Sequence, residues 1–305
     1  MDSPLVSFSN EIARLAGTIS PSVVSVHGRR SSASSGVHWR KNLIVTAEHA
    51  LRRDDDILIS YGNDEKASAK LVGRDPGTDV ALLSVESLGA PAAPVGGNEE
   101  LRVGHMALVV GRSPNSGPNA SLGIISAVSG AWRTWRGGQL DQYLRLDATV
   151  FPGMSGGAVS DVQGRVIGIA TSALSRIAGL AIPASSVNRV VDWLLEKGTV
   201  PRGYLGIGLQ PVKVPETFRE KLHVKNDEGV MVVSVESGGP AERAGILVGD
   251  ILLDIDRTSL EDVEDLQALL GPEKIGKPVQ ARLVRGGELK DIAVTVGERS
   301  RRNSS

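Results

Sequence analysis

Nine short runs rich in Val, Ile, Leu and Ala cross residues 23–182, set apart by Gly, Pro, Asn and Asp. They are Val23–His27, Leu43–Thr46, Ile57–Ser60, Val80–Val85, Ala107–Val110, Ile124–Val128, Tyr143–Leu146, Val166–Thr171 and Leu180–Ile182. A chain cut this often builds short strands rather than long helices, and many such strands predict a sandwich or a barrel. Aromatic residues are only 3% of the chain, so the core has to come from Val, Ile, Leu and Ala. One helix is clear, Ser186–Lys197, where Val187, Val190, Val191, Leu194 and Leu195 recur at three- and four-residue spacing and Gly198 ends the run. A weaker helix is expected over Phe8–Leu15.

A length of 305 residues suggests two domains. The Gly/Pro-bracketed segment Gly198-Thr-Val-Pro-Arg-Gly203 is the expected joint, giving domains 1–200 and 203–298 and a flexible tail 299–305. Charge changes at the same place: residues 1–202 carry 20 Lys/Arg against 18 Asp/Glu, whereas residues 203–298 carry 11 against 17. The whole chain has a net charge of −1, which argues against a nucleic-acid or anionic-membrane partner. With no cysteine there are no disulfides, thiolate nucleophiles, iron–sulfur clusters or cysteine zinc sites. Ser113–Trp132 is the longest charge-free stretch, but Pro114, Asn115, Gly117, Pro118 and Asn119 break it, so no transmembrane segment is expected. The N-terminal residues lack the pattern of an export signal. The expectation is therefore a cytoplasmic chain as written, or a periplasmic or extracytoplasmic one if an export segment has been removed. In the second part Gly229–Ser234 and Val279–Val284 read as strands, and Ser259-Leu-Glu-Asp262 as a capping box opening a helix to Leu270.

The segment Phe151-Pro-Gly-Met-Ser-Gly-Gly157 carries the strongest chemical signal. Glycines around a serine let the backbone turn so that the hydroxyl projects outward. The same turn can aim the Gly153 and Ser155 amides at one point as an oxyanion hole; by itself it is equally a plain β-turn. A serine nucleophile needs a base. Among His27, His38, His49, His105 and His223, His49 is singled out because it ends the apolar run Leu43-Ile-Val-Thr-Ala-Glu-His49. The base needs an orienting carboxylate, and Asp79 precedes the run Val80–Val85. The order His49, Asp79, Ser155 is that of the chymotrypsin arrangement; subtilisins and α/β-hydrolases use other orders.

These residues sit in motifs that resemble those of the HtrA (Deg) family of chymotrypsin-like serine proteases. Ser35-Gly-Val-His-Trp39, Thr46-Ala-Glu-His-Ala50, Asp75-Pro-Gly-Thr-Asp-Val-Ala-Leu-Leu83, Gly153-Met-Ser-Gly-Gly157 and Gly179-Leu-Ala-Ile-Pro183 each resemble a family motif. Met154 stands where the family usually has asparagine, and Ala50 where it has valine. The resemblance implies a mainly β fold, a chymotrypsin-like double β-barrel followed by a small α+β PDZ domain. It implies catalysis by His49, Asp79 and Ser155, and an oxyanion hole at Gly153, Met154 and Ser155. It further implies a primary pocket lined by Ile169, Ala170 and Thr171, suited to small aliphatic residues; alternatively, Ile169 is simply core.

In the second part, Gly203-Tyr-Leu-Gly-Ile-Gly208 is not a phosphate-binding G-x-G-x-x-G in register. It resembles the carboxylate-binding loop of HtrA-type PDZ domains, as Gly239-Pro-Ala-Glu-Arg-Ala-Gly245 with Gly249 and Asp250 resembles a second PDZ motif. The resemblance implies peptide binding by Tyr204, Leu205, Gly206 and Ile207, with Val263, Leu266 and Leu270 along the groove. The implied function is an ATP-independent serine endopeptidase of protein quality control and stress response. It would act on unfolded or misfolded proteins and bind their C-terminal peptides. It would form a homotrimer, with Phe8 a candidate interface residue, and require no metal or cofactor. The rivals are a non-proteolytic PDZ-based binding protein or chaperone, and a protease silent until a peptide binds. Asp54, Asp55 and Asp56 read as an acidic turn rather than a cation site. Trp132, Arg133, Trp135 and Arg136 fall where the family has an activation loop, with either arginine a candidate sensor.

Overall fold

The computed structural model describes residues 3–28, 33–62, 65–96, 101–113, 117–175, 177–214, 216–222 and 227–298. His223 and the expected tail 299–305 lie outside the described residues. The chain divides into two units, Met1–Val200 and Pro201–Ser305.

The first unit opens with helix α1 (Pro4–Ile19), longer than expected because Ser3 caps it and Pro4 occupies its first turn. Six strands follow: β1 (Val23–His27), β2 (Ser34–Arg40), β3 (Leu43–Ala47), β4 (Ile57–Tyr61), β5 (Glu65–Asp75) and β6 (Val80–Val85). They close into an antiparallel barrel in the order β1-β2-β3-β6-β5-β4. β5 escapes the apolar-run criterion because much of its length is solvent-facing, with Lys66 and Lys70 on its exposed side. A second closed barrel takes β7 (Met106–Ser113), β8 (Gly117–Ser129), β11 (Tyr143–Leu146), β12 (Ala158–Ser160), β13 (Val166–Thr171) and β14 (Leu180–Pro183). Its order is β11-β14-β13-β12-β7-β8. Between β8 and β11 stands a small hairpin, β9 (Trp132–Arg133) and β10 (Gln139–Leu140). Helix α2 (Ala184–Lys197) ends at Gly198, whose φ of 69° is the left-handed cap that glycine takes without strain.

Each barrel has its own apolar filling, and a third cluster joins them. Val24, Ile44, Ile57, Ile59 and Leu83 fill the first, and Val109, Ile125, Leu144, Met154 and Ile167 the second. The joining cluster brings Leu15 and Ile19 of α1 and Val187 and Leu194 of α2 against Val37, Val45, Leu108, Ala158 and Ile169. That seam is where two rigid sheets present loop ends to one another, the expected place for a site held to sub-ångström tolerance.

The second unit contains β15 (Gly203–Tyr204), β16 (Ile207–Lys213), α3 (Glu216–Leu222), β17 (Glu228–Val235), α4 (Pro240–Ala244) and β18 (Ile251–Ile255). It continues through β19 (Thr258–Ser259), α5 (Val263–Leu269), β20 (Pro278–Arg285), β21 (Glu288–Thr295) and β22 (Gly297–Glu298). The main sheet runs β16-β17-β18-β20-β21, which leaves β16 at an edge. The capping box of α5 lies one turn later than expected. Ser259 is taken up in the β18–β19 pairing, and Asp262 and Asp265 supply the reciprocal cap instead.

Candidate active site

Asp79 closes the loop between β5 and β6 and is completely buried, with a φ of 60° that is strained for a residue with a side chain. The loop is fixed from below by Asp75, whose carboxylate accepts from the Thr78 amide at 3.0 Å and the Thr78 hydroxyl at 2.7 Å. The Asp79 carbonyl accepts the Glu48 amide at 3.0 Å, which ties the end of β3 to the same loop. His49 follows in a single 3-10 turn. Its Nδ1 lies 2.9 Å and 2.8 Å from the two Asp79 carboxylate oxygens, and its own amide donates to Oδ1 at 2.9 Å. Thr171, at the end of β13, donates to Oδ2 at 2.5 Å. A carboxylate with these partners keeps the Nδ1–H tautomer and leaves Nε2 as the basic nitrogen.

Ser155 comes from the loop between β11 and β12, on the other barrel. It is 7% exposed, and its Oγ lies 3.1 Å from the Ser172 hydroxyl. Ser172 is exposed at the start of the loop after β13, and sequence patterning gave no reason to single it out. Gly153 has a φ of 87°, which a side chain would strain. The loop carbonyls are engaged inwards: Ser155 O accepts the Ser35 amide at 3.1 Å, and Gly153 O accepts the Ser35 hydroxyl at 2.7 Å. The Gly153 and Ser155 amides donate to no other described residue, so both stay available to an external anion.

Two expectations need correction here. The Met154 amide is used within the turn, donating to Phe151 O at 2.9 Å, and the Met154 side chain is buried in the second barrel. Met154 therefore anchors the loop and offers no oxyanion donor. Ile169 and Ala170 are wholly buried in apolar clusters and Thr171 is spent on Asp79, so none of the three presents an open pocket wall. An alternating strand between two packed faces leaves its side chains no free surface.

The β9–β10 hairpin docks on the aspartate loop, with Thr134 Oγ1 donating to Gly77 O at 2.6 Å. Arg136 stacks 4.8 Å from the Trp135 ring and reaches Glu48 at 3.7 Å, while Trp132 packs edge-on against Tyr143. Asp54 of the acidic turn pairs with Arg74.

In the second unit, Leu205 and Gly206 turn their carbonyls inwards to the Ala241 and Glu236 amides, both at 2.8 Å. Their own amides donate to no other described residue outside the strands. Gly206 has a φ of 79°, Tyr204 is held in the β15–β22 pairing, and Ile207 begins the edge strand β16. Successive free amides beside an open strand edge form a cradle for a chain-terminal carboxylate. Val263 is half-buried, while Leu266 and Leu270 belong to the core of this unit.

These features define a trypsin-like peptidase domain followed by one PDZ domain. The family model described as a trypsin-like peptidase domain matches residues 34–169, and the PDZ domain model matches residues 203–296. A curated relative from Halomonas elongata, named a probable periplasmic DegP-like serine endoprotease, is 31% identical over 88% of this chain. One of the same name from Brucella suis is also 31% identical over 88%. The chain spans about half the length of these relatives, 57% and 53%. Among solved structures, the HtrA-type protease AlgW with decapeptide has a TM-score of 0.73 at 26% identity, covering 95% of this chain and 99% of its own. The serine endoprotease from Yersinia pestis has a TM-score of 0.71 at 28% identity, covering 94% and 98%. The chain is thus similar to HtrA-type proteases through both its peptidase domain and its PDZ domain.

Proposed function

We propose that the chain is a serine endopeptidase that cleaves unfolded proteins and recognises chain-terminal peptides through its PDZ domain. The observation that carries this reading is the buried Asp79 carboxylate gripping His49 Nδ1 across the seam from Ser155 and its two unspent amides. In this mechanism the Ser155 hydroxyl turns from Ser172 towards His49 Nε2. The imidazole takes its proton as Oγ bonds to the substrate carbonyl carbon. The carbonyl oxygen becomes an oxyanion held by the Gly153 and Ser155 amides, and Asp79 stabilises the imidazolium. His49 then protonates the leaving amine as the C–N bond breaks. A water, deprotonated by the same imidazole, hydrolyses the acyl-enzyme and restores Ser155.

A peptide strand added at β16 would place its carboxylate at the Leu205 and Gly206 amides, with Tyr204 and Ile207 flanking it and Val263 across the groove. A homotrimer is the proposed assembly. Leu5 and Phe8, 79% and 48% exposed on α1, are the apolar surface that supports it. Among the described residues no helix is long and apolar enough to cross a membrane.

The test is digestion of unfolded casein by the chain and by Ser155→Ala, each with and without a peptide ending in an apolar residue and a free carboxylate. Cleavage by the parent alone is the expected result, and a peptide-induced increase would make the PDZ domain an activator. A folded parent that binds the peptide but cleaves nothing would return the chain to the binding-protein reading.

A further inference from the structure

Ser35 lies on β2 of the first barrel, 118 residues from Gly153 in sequence, and is fully buried. Every polar atom it has is used. Its amide donates to Ser155 O at 3.1 Å, and its carbonyl accepts the Thr46 hydroxyl at 2.6 Å. Its hydroxyl accepts the Arg112 amide at 2.9 Å, and its proton goes to Gly153 O at 2.7 Å. Arg112 is in turn locked into the seam, donating to Val23 O at 2.6 Å, Ser20 O at 3.1 Å and Gly62 O at 3.2 Å. Two further features leave the loop little freedom around Ser35. A Cβ at Gly111 would meet the Ser35 hydroxyl at 2.9 Å, and one at Gly156 would run into the Ser35 carbonyl.

The chemistry of the loop depends on which way its peptide planes face. The Gly153 carbonyl lies in the peptide plane of the Met154 amide and the Ser155 carbonyl in that of the Gly156 amide, so these two planes flank the Met154–Ser155 peptide that carries the Ser155 oxyanion donor. Glycine at position 153 gives the first of these planes unusual freedom to rotate. The only described side chain that holds the Gly153 carbonyl is Ser35. We propose that Ser35 is a positioning residue for the oxyanion hole: its hydroxyl and amide clamp the Gly153 and Ser155 carbonyls, which fixes the peptide planes on either side of the Met154–Ser155 peptide and keeps the Ser155 amide aimed at the substrate. The inference rests on the endopeptidase reading and adds to it a residue on the opposite barrel that touches no reacting atom.

The experiment compares the wild-type chain with Ser35→Ala and Ser35→Cys, the latter keeping the side chain's shape with a poorer donor. Turnover is followed on a quenched fluorescent peptide that the wild type cleaves, and stability by thermal melting. A clamp predicts a kcat loss of about 10- to 100-fold in both variants with KM within about twofold, because the lost interaction matters where the oxyanion forms. A peptide boronate, whose tetrahedral adduct on Ser155 places an oxygen in the hole, should lose affinity in parallel with kcat. The matching peptide amide, which makes no adduct, should bind unchanged. A merely structural serine would instead lower the melting temperature and leave kcat, or the boronate-to-amide affinity ratio, as in wild type, and either pattern overturns the clamp. If the wild type cleaves and both variants cleave equally well, only this inference fails. If the wild type is folded and inert, the endopeptidase reading fails and takes the clamp with it.

Discussion

The two candidate binding centres of this chain are made of different material. In the first unit the key anion, Asp79, is gripped by side chains and backbone together: the His49 ring, the His49 amide and the Thr171 hydroxyl. In the second unit the PDZ loop offers an anion nothing but backbone, the amides of Leu205 and Gly206 exposed by a turn through positive φ. A side-chain site can be dismantled one group at a time, each deletion removing a defined function. A backbone site keeps its donors after almost any substitution and fails only when the conformation fails. The first should therefore respond to isosteric changes, and the second only to changes of backbone freedom.

The largest expected effect comes from Asp79→Asn. It preserves shape but offers the imidazole a neutral amide that favours the wrong tautomer, and kcat should fall about 10⁴-fold with KM little changed. Steady-state kinetics on a cleavable peptide measure this; a loss below tenfold would mean that the carboxylate is not what orients His49. The counterpart in the second unit is Gly206→Val. A Cβ there meets Tyr204 Oη at 3.3 Å and Gly239 Cα at 3.4 Å, and a β-branched residue resists a φ of 79°. Affinity for a peptide with a free carboxylate, read by fluorescence polarisation, should fall about 10-fold or more while an amidated peptide is unaffected. Unchanged affinity would show that the carboxylate is held elsewhere.

The contrast also explains how much was visible before the fold was known. His49 and Asp79 stood out because each borders an apolar run, Ser155 because glycines surround it, and their order is that of the chymotrypsin arrangement. Nine of the twelve barrel strands were legible as short runs; β2, β5 and β12 were not, β5 because its polar outer face hides its strand character. What stayed hidden is what depends on partners far away in sequence. Nothing near Thr171 indicates that it meets Asp79, 92 residues earlier, and the same holds for Ser35 and Gly153. Ile169 and Ala170 are buried in apolar clusters, which for Ile169 is the core alternative left open, and a strand's sequence does not say which of its faces another sheet will cover. The α5 cap moved from Ser259 to Asp262 because hairpin pairing claimed the serine first.

Thr171→Val tests one of those hidden contacts and sharpens the comparison from the side-chain end. The substitution keeps the volume but leaves the buried Asp79 Oδ2 without its 2.5 Å donor, and also removes the acceptor of the Ala173 amide. Oδ2 keeps the His49 ring at 2.8 Å, and losing the other hydrogen bond to this buried carboxylate costs about 1.5–3 kcal/mol. Part of that cost falls on the imidazolium-bearing transition state, so kcat should drop about 10-fold. Equal loss in kcat and in thermal stability, with no change in the pH–rate profile, would make Thr171 a packing residue only.

The smallest effect concerns the buried side-chain pair Asp250–Arg285 of the second unit, and it asks whether that unit depends on charge at all. Asp250 is buried beside Arg285, which donates to both of its oxygens at 2.7 Å, and the Leu247 amide adds a bond at 2.8 Å. Burial pushes the Asp250 carboxyl up, but the hydrogen bonds from Arg285 and Leu247 outweigh it and hold the group below its ordinary value. A carboxyl depressed by folding stabilises the native state above its unfolded pKa of about 3.9, and that contribution is lost as pH falls through the lower, folded value. The loss should be about 1 kcal/mol, and Asp250→Asn should abolish its pH dependence. All four tryptophans, Trp39, Trp132, Trp135 and Trp193, belong to the first unit, so indole fluorescence follows that unit alone while far-ultraviolet circular dichroism follows both. Acid weakening seen by dichroism, absent from fluorescence and removed by Asp250→Asn, assigns the loss to the second unit. The same weakening in both signals would mean that the second unit alone does not set the acid limit of the chain.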